Sequence, residues 1–195
     1  MSTYAMLSLK GGSGKTTSAM HLAACAVAEG RPVTVIDADE ERSALQWAAG
    51  AAMPFDAVPA DRDGLARQVR ELAKDKARVI IVDSPPNDRE VLNKAGMLAD
   101  VVIVPVVPTG LDMDRLKPTL ELLRDLEAMR GKLAVGILLC RWDGRTVLAR
   151  EAIDVLRDFP VLKAKIRGLQ VYAQAFGSAP SYLDEYRAAW KELRA

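Results

Sequence analysis

Histidine is nearly absent from this 195-residue sequence: His21 is the only one. A histidine-based metal centre or catalytic triad is thereby excluded, and His21 reads as a packing or surface residue of a helix. Cysteine is almost as scarce. Cys25 and Cys140 lie in apolar surroundings without CxxC or metal-ligand spacing, the pattern of reduced, buried thiols. Charge of one sign is lacking too, with 27 Lys and Arg against 26 Asp and Glu, so a nucleic-acid partner must be argued from local patches. No apolar run approaches the roughly 18 residues of a membrane span. No h-region of a signal peptide is evident at the start, and repeats, low-complexity stretches and interdomain linkers are missing. These absences lead us to expect a cytoplasmic protein of one domain over residues 1–195, without an N-terminal DNA-binding domain. Half the residues are hydrophobic and 27% charged, enough apolar material for a proper core.

Short apolar runs alternate with helical patterns. Strands are expected at 4–9, 33–37, 55–58, 78–83, 100–105, 133–139 and 161–166. Helices are expected at 15–29, 43–49, 64–74, 112–130, 147–158 and 182–194. Strands such as Val79-Ile80-Ile81-Val82 lack polar alternation and so are buried on both faces. The fold class expected is α/β, a doubly wound, mostly parallel sheet with helices on both faces.

Between the first strand and first helix stands Lys10-Gly11-Gly12-Ser13-Gly14-Lys15-Thr16-Thr17. A glycine-rich turn there aims successive backbone N–H groups into one concavity, and the helix N-terminus adds positive potential, so the loop binds phosphate. Lys15 is expected to reach the terminal phosphates of ATP and the Thr16 hydroxyl to ligate Mg²⁺. The strict GxxxxGK[ST] pattern would put glycine at position 9, where this chain has Leu9. Asp83, at the carboxyl end of a buried strand, faces the crevice where such sheets bind ligands and can hold magnesium. Asp37 and Asp39 end the second strand; Asp39 can orient an attacking water, and Asp37 lies nearer the magnesium shell. The alternative for this pair is helix capping ahead of Ser43.

Together these residues resemble the ParA/MinD group of deviant Walker-type ATPases, whose loop reads KGGxGK[ST]. Small ParA (ParF-like) partition proteins are the most similar branch, through Asp37-Ala38-Asp39 with Leu45-Gln46-Trp47, through 100–105 with Leu111-Asp112, and through Ile166-Arg167 with Gln170-Val171-Tyr172. The resemblance implies P-loop NTPase architecture and binding of ATP/ADP with Mg²⁺. It implies that Lys10 crosses an ATP-dependent homodimer to the partner's phosphates, as an arginine finger does in trans. It also implies nonspecific DNA binding over the nucleoid, and release by hydrolysis that a ParB-like centromere-binding protein stimulates. Arg145, Lys163, Lys165 and Arg167 are the DNA-contacting candidates, and the regions of Arg141 and Arg167 are the expected walls around the adenine. Where the group has Pro-Gln after DxD, this chain has Glu40-Glu41, expected to point to solvent or to a partner; a binding module without hydrolysis follows if they disable the switch.

DNA segregation is the leading expectation. The alternatives are a MinD-like membrane protein and a positioning ATPase for another cargo, such as a protein cluster or microcompartment. The mixed-charge tail at 182–194 argues for packing on the domain over lipid binding. A nitrogenase-reductase-like protein is set aside because the cysteines are misplaced for a cluster.

Overall fold

The structure, a computed structural model, describes residues 2–109 and 116–195. Seven strands, β1 (Ser2–Met6), β2 (Val33–Asp37), β3 (Asp56–Pro59), β4 (Val79–Asp83), β5 (Val101–Val106), β6 (Ala134–Trp142) and β7 (Val161–Arg167), form one sheet in the order β3-β2-β4-β1-β5-β6-β7. Every neighbouring pair is parallel. The helices are α1 (Lys15–Ala28), α2 (Ser43–Ala49), α3 (Leu65–Leu72), α4 (Arg89–Leu98), α5 (Lys117–Arg130), α6 (Val147–Val155), α7 (Gln170–Gln174) and α8 (Asp184–Leu193). The expected elements are all present, with ends shifted by a few residues. Leu111-Asp112 and the start of the helix expected at 112 lie outside the described residues.

The central strands show why their apolar runs do not alternate. Tyr4, Met6, Val79 and Ile81 join one core with α1, α2, α7 and α8. Ala5, Leu7, Ile80 and Val82 join the other, under α3, α4 and α5. Each face needs its own apolar set, so the run is continuous along the strand.

Helix α4 and the short α7 are missing from the elements expected from the sequence, and α4 is the longer of the two. Gly96 interrupts it as a breaker would, yet a Cβ there would stand 2.5 Å from a Leu126 methyl, so glycine serves the close approach of α5. Its N-terminus is well marked, because the Asp88 carboxylate accepts from the N–H groups of Glu90 and Val91.

The tail helix packs on the domain. Tyr186, Trp190 and Leu193 are buried, and Trp190 Nε1 donates to Glu29 at the end of α1, 3.0 Å away. Carboxylates of the same helix cover the open edge of the sheet. Glu192 accepts from the N–H groups of Lys163 and Ala164, and Glu185 from that of Arg167. Among the described residues no helix is long and apolar enough to cross a membrane.

His21 lies at the centre of an aromatic cluster between α1, α2, α7 and α8. Its ring stacks on Tyr186 at 4.7 Å and meets the edges of Tyr172 and Trp47 at 5.2 and 5.9 Å. Nδ1–H donates to the Thr17 carbonyl at 2.8 Å. Burial pulls its pKa down to about 4, against the upward influence of that hydrogen bond. The native state therefore holds His21 neutral, and its contribution to stability is present above the unfolded value near 6.5 and lost as pH falls toward 4. Between pH 7 and 5, wild type should lose about 2 kcal/mol more stability than His21→Gln. Urea denaturation at the two pH values measures this; identical pH slopes would show that the ring is not held neutral.

Candidate functional site

The loop after β1 takes its shape from glycines that cannot be exchanged. Gly12 has φ +73° and Gly14, the residue preceding α1, φ +97°, conformations that side chains make costly. Leu9 departs from the strict loop pattern because it packs against the core under α5, its N–H donating to the buried Thr119 hydroxyl at 3.2 Å. Position 9 is here a packing position, and the concavity begins one residue later.

Lys15 is 7% exposed. Its ammonium donates to the carbonyls of Ser8 at 3.2 Å and Lys10 at 2.9 Å. Burial lowers its pKa, and the carboxylates of Asp83 and Asp39 oppose that. The Lys10 carbonyl also accepts from the Ser13 hydroxyl at 3.3 Å, so the backbone of Lys10 braces the loop whatever its side chain does.

Strand register brings the acids together. Asp37 pairs with Asp83 across β2 and β4, and Asp83 with Met6 across β4 and β1, so both carboxylates stand at the strand ends beside the loop. Asp83 is 1% exposed, and among the described residues neither of its oxygens has a hydrogen bond of normal geometry. Burial pushes its pKa up to about 7; the neighbouring Thr16 hydroxyl lowers it, Asp37 raises it and Lys15 lowers it. A buried carboxylate without partners is costly, and at a ligand site it marks a group that some other species completes. An oxygen-only pair, hydroxyl and carboxylate, suits a hard divalent cation such as Mg²⁺. Among the described residues no group of three or more His, Cys, Asp or Glu could hold a metal ion. Magnesium held by such a pair would share its coordination with phosphate oxygens, its usual habit.

Asp37 and Asp39 have separate places. Asp37 is fully buried, and its two oxygens accept from the N–H groups of Asp39 at 3.1 Å and Leu45 at 3.0 Å. Burial raises its pKa and those hydrogen bonds lower it. The visible work of Asp37 is to tie the following loop and the start of α2 to the strand, the capping role that the sequence leaves open. Asp39 is partly exposed and close enough to Lys15 and Asp83 to influence both. Its Oδ1 accepts from the N–H of Glu41 at 3.1 Å. Glu40 and Glu41 are exposed. Arg42, at φ +54°, holds the loop from the other side, donating to the carbonyls of Asp37 at 2.6 Å and Ala60 at 2.9 Å.

A pocket of about 290 Å³ opens beside the loop, lined by Gly14, Thr17, Cys140, Arg141, Arg167 and Tyr172 among others. Its mostly apolar wall suits a flat ring system. Arg141 and Arg167, which the sequence places near the base, meet here. Arg141 takes φ +51° where β6 carries an extra residue relative to β7 between Leu139 and Trp142; such a bulge redirects the side chain. Arg167 is held by the Glu185 carboxylate, which also accepts from the Tyr172 hydroxyl at 2.8 Å. Leu169 and Gln170, which the sequence does not assign to the nucleotide, complete the same wall; only tertiary folding brings them beside Gly14. Cys25 and Cys140 are free and buried, and burial pushes both thiols up to about 12.

The remaining cationic candidates are less concentrated. Lys163, Lys165 and Arg167 occupy alternate positions of the edge strand β7. The Lys165 ammonium stands 5.2 Å from the centre of the Trp142 ring. Arg145 is on the turn before α6, its side chain 91% exposed, and both prongs of its guanidinium meet Asp143 at 2.9 Å. Lys163 alone of these four has no side-chain ion pair, hydrogen bond or ring contact among the described residues.

Comparison with known proteins agrees with this geometry. The family described as "CobQ/CobB/MinD/ParA nucleotide binding domain" matches residues 4–178. "Maintenance of carboxysome distribution protein A" from Gloeobacter kilaueensis is 34% identical over 88% of this chain and 79% of its own length. The protein of that name from Halothiobacillus neapolitanus is 28% identical over 89% and 82%. The chromosome-partitioning ATPase Soj of Thermus thermophilus is 29% identical over 78% of this chain and 74% of its own length. Among solved structures, apo McdA of Cyanothece superposes with a TM-score of 0.77 at 22% identity, each chain covered completely, a likeness of fold.

Proposed function

Because the chain belongs to the CobQ/CobB/MinD/ParA family of nucleotide-binding domains, we propose that it is a Mg²⁺-dependent ATPase that positions a protein assembly through an ATP-dependent homodimer. The observation that carries the nucleotide chemistry is the unpartnered Asp83 carboxylate beside Thr16, under a loop whose Lys15 ammonium rests on backbone carbonyls. Gly11, Gly12, Ser13 and Gly14 offer backbone N–H groups to phosphate, Lys15 supplies the positive charge, and Thr17 begins the wall toward the base. Thr16 and Asp83 would hold Mg²⁺, which when bound neutralises phosphate charge that develops during transfer. Asp37 keeps the Asp39 loop in place, and Asp39 orients a water for attack. Lys10 supplies its charge to the partner's nucleotide, so hydrolysis waits for two loaded subunits.

Positioning of a protein assembly is favoured over DNA segregation by the two carboxysome-distribution relatives at 28% and 34% identity. Partition is the second reading, favoured by similarity to Soj and to a protein ParA of Rhizobium radiobacter. Both include nonspecific DNA as the surface on which the dimer rests, with Arg145, Lys163, Lys165 and Arg167 as its contacts, and both need a partner that stimulates hydrolysis, ParB-like in the second. Deleting the gene separates them. Clustered assemblies with normal replicon inheritance support positioning; replicon loss with normally spaced assemblies supports partition.

Nucleotide binding by Lys15→Gln tests the shared premise. Titration with a fluorescent ATP analogue and Mg²⁺ should show at least about tenfold weaker binding than wild type, the loss of one charge-assisted phosphate contact. Equal affinity would remove the loop from the site.

A further inference from the structure

The Asp39 loop and the base-side wall are fastened together at a point remote from both. Helix α2 follows the loop directly, and Asp37 anchors its first turn through the Leu45 N–H. At its far end, Trp47 is buried, its ring 5.5 Å from that of Phe176, and its Nε1 donates to the Ser178 carbonyl at 2.8 Å. One turn on, Gly50 touches the backbone of Gly177: a Cβ at position 50 would fall 2.6 Å from Gly177 Cα and 2.7 Å from its carbonyl oxygen. Nothing larger than glycine fits there unless the two segments part. Residues 175–178 leave α7 directly, and α7 carries Gln170 and Tyr172 of the base-side pocket.

We propose that Trp47 and Gly50 form a latch through which occupation of the base-side pocket sets the position of the Asp39 loop, so that both are positioning residues for the reaction. The path is short and runs through pieces in direct contact. A ring seated against Tyr172 and Gln170 fixes α7; α7 fixes 175–178; the Trp47–Ser178 hydrogen bond and the Gly50–Gly177 contact fix α2; and α2 holds the loop that Asp37 ties at its other end. Phosphate alone contacts the glycine loop and the start of α1 and leaves the base-side wall of Gln170 and Tyr172 unfilled. The latch thus makes the enzyme distinguish a nucleotide from a bare polyphosphate at the step of catalysis as well as at binding. The inference rests on the nucleotide-site reading above.

Hydrogen exchange with mass spectrometry tests it without depending on turnover. Wild type is compared alone, with Mg²⁺ and inorganic tripolyphosphate, and with Mg²⁺ and a non-hydrolysable ATP analogue. Both ligands should protect residues 10–17, and only the ATP analogue should slow exchange across 38–46, by about tenfold. Gly50→Ala should keep the protection at 10–17 and lose the protection at 38–46. Trp47→Phe, which keeps the ring and removes the N–H donor, is expected to lose part of it and to lower kcat several-fold with KM for ATP little changed. Equal protection of 38–46 by tripolyphosphate and the ATP analogue would overturn the latch, as would undiminished protection there in both variants. Absence of ligand protection at 10–17 in wild type would instead overturn the nucleotide site itself.

Discussion

Asp83→Asn should make the nucleotide-free protein more stable while abolishing most of its Mg²⁺-dependent turnover. The carboxyl group is buried with no hydrogen bond of normal geometry among the described residues, and burial holds its pKa near 7. The sign follows from linkage. A carboxyl whose folded value lies above its unfolded value near 3.8 is bound to its proton more tightly in the native state, so its ionisation costs stability as pH rises through 4 to 7. At pH 8 the full cost is present. Replacing the carboxylate with a neutral amide should recover about 2 kcal/mol, roughly half the linkage value of about 4 kcal/mol, because the amide is unpartnered too. At pH 4 the gain should vanish. Urea denaturation of the two proteins at both pH values measures this. Addition of Mg²⁺ and ATP should reverse the order, since ligand that binds the native state stabilises it by mass action and the variant binds it poorly. Turnover should fall roughly a hundredfold or more, the loss of several kcal/mol of charge stabilisation. A variant that is less stable at pH 8 and retains turnover would place the carboxylate in a purely structural role.

Lys10→Ala should leave ATP affinity nearly unchanged and reduce turnover by about 10³-fold, the scale of a charge delivered in trans. The Lys10 carbonyl is the acceptor for the Lys15 ammonium and the Ser13 hydroxyl, and alanine supplies the same carbonyl. The Lys15 and Ser13 contacts to that carbonyl therefore survive the substitution, and on the proposed reading the missing charge is the one delivered to the partner's nucleotide. Mixing tests the trans assignment. Lys10→Ala supplies an intact water-orienting Asp39, and Asp39→Ala an intact Lys10, so an equimolar mixture should recover turnover that neither variant has. A mixture as inactive as its components would assign Lys10 to its own subunit's nucleotide.

How much of the molecule is legible without coordinates depends on how local the cause is. The phosphate loop and its helix are local: a glycine-rich turn and a lysine dictate the concavity wherever they stand after a buried strand. The division of the sheet between two cores follows from runs without alternation, for the same reason. Helix α4 is hidden because Gly96 reads as a break in one dimension and as a close approach to Leu126 in three. Asp37 looks like a candidate metal ligand because a carboxylate at a strand end is one; that its oxygens accept from Asp39 and Leu45 N–H groups depends on how the chain turns back. The base-side pocket joins residues more than 120 positions apart, Gly14 with Cys140 and Arg167, and no spacing rule reports such pairs. Arg145 and Arg167 read as free cations until Asp143 and Glu185 are seen beside them, so a DNA surface built from them must first release those partners, at a modest cost for exposed pairs.

The central claim, that ATP joins two copies of this chain, is tested most directly by the mass of Asp39→Ala in solution. Light scattering after size-exclusion chromatography in Mg²⁺ and ATP should give twice the monomer mass, stable through the run because hydrolysis is blocked, and the monomer mass in ADP. A protein that binds ATP and elutes as a monomer would contradict the claim.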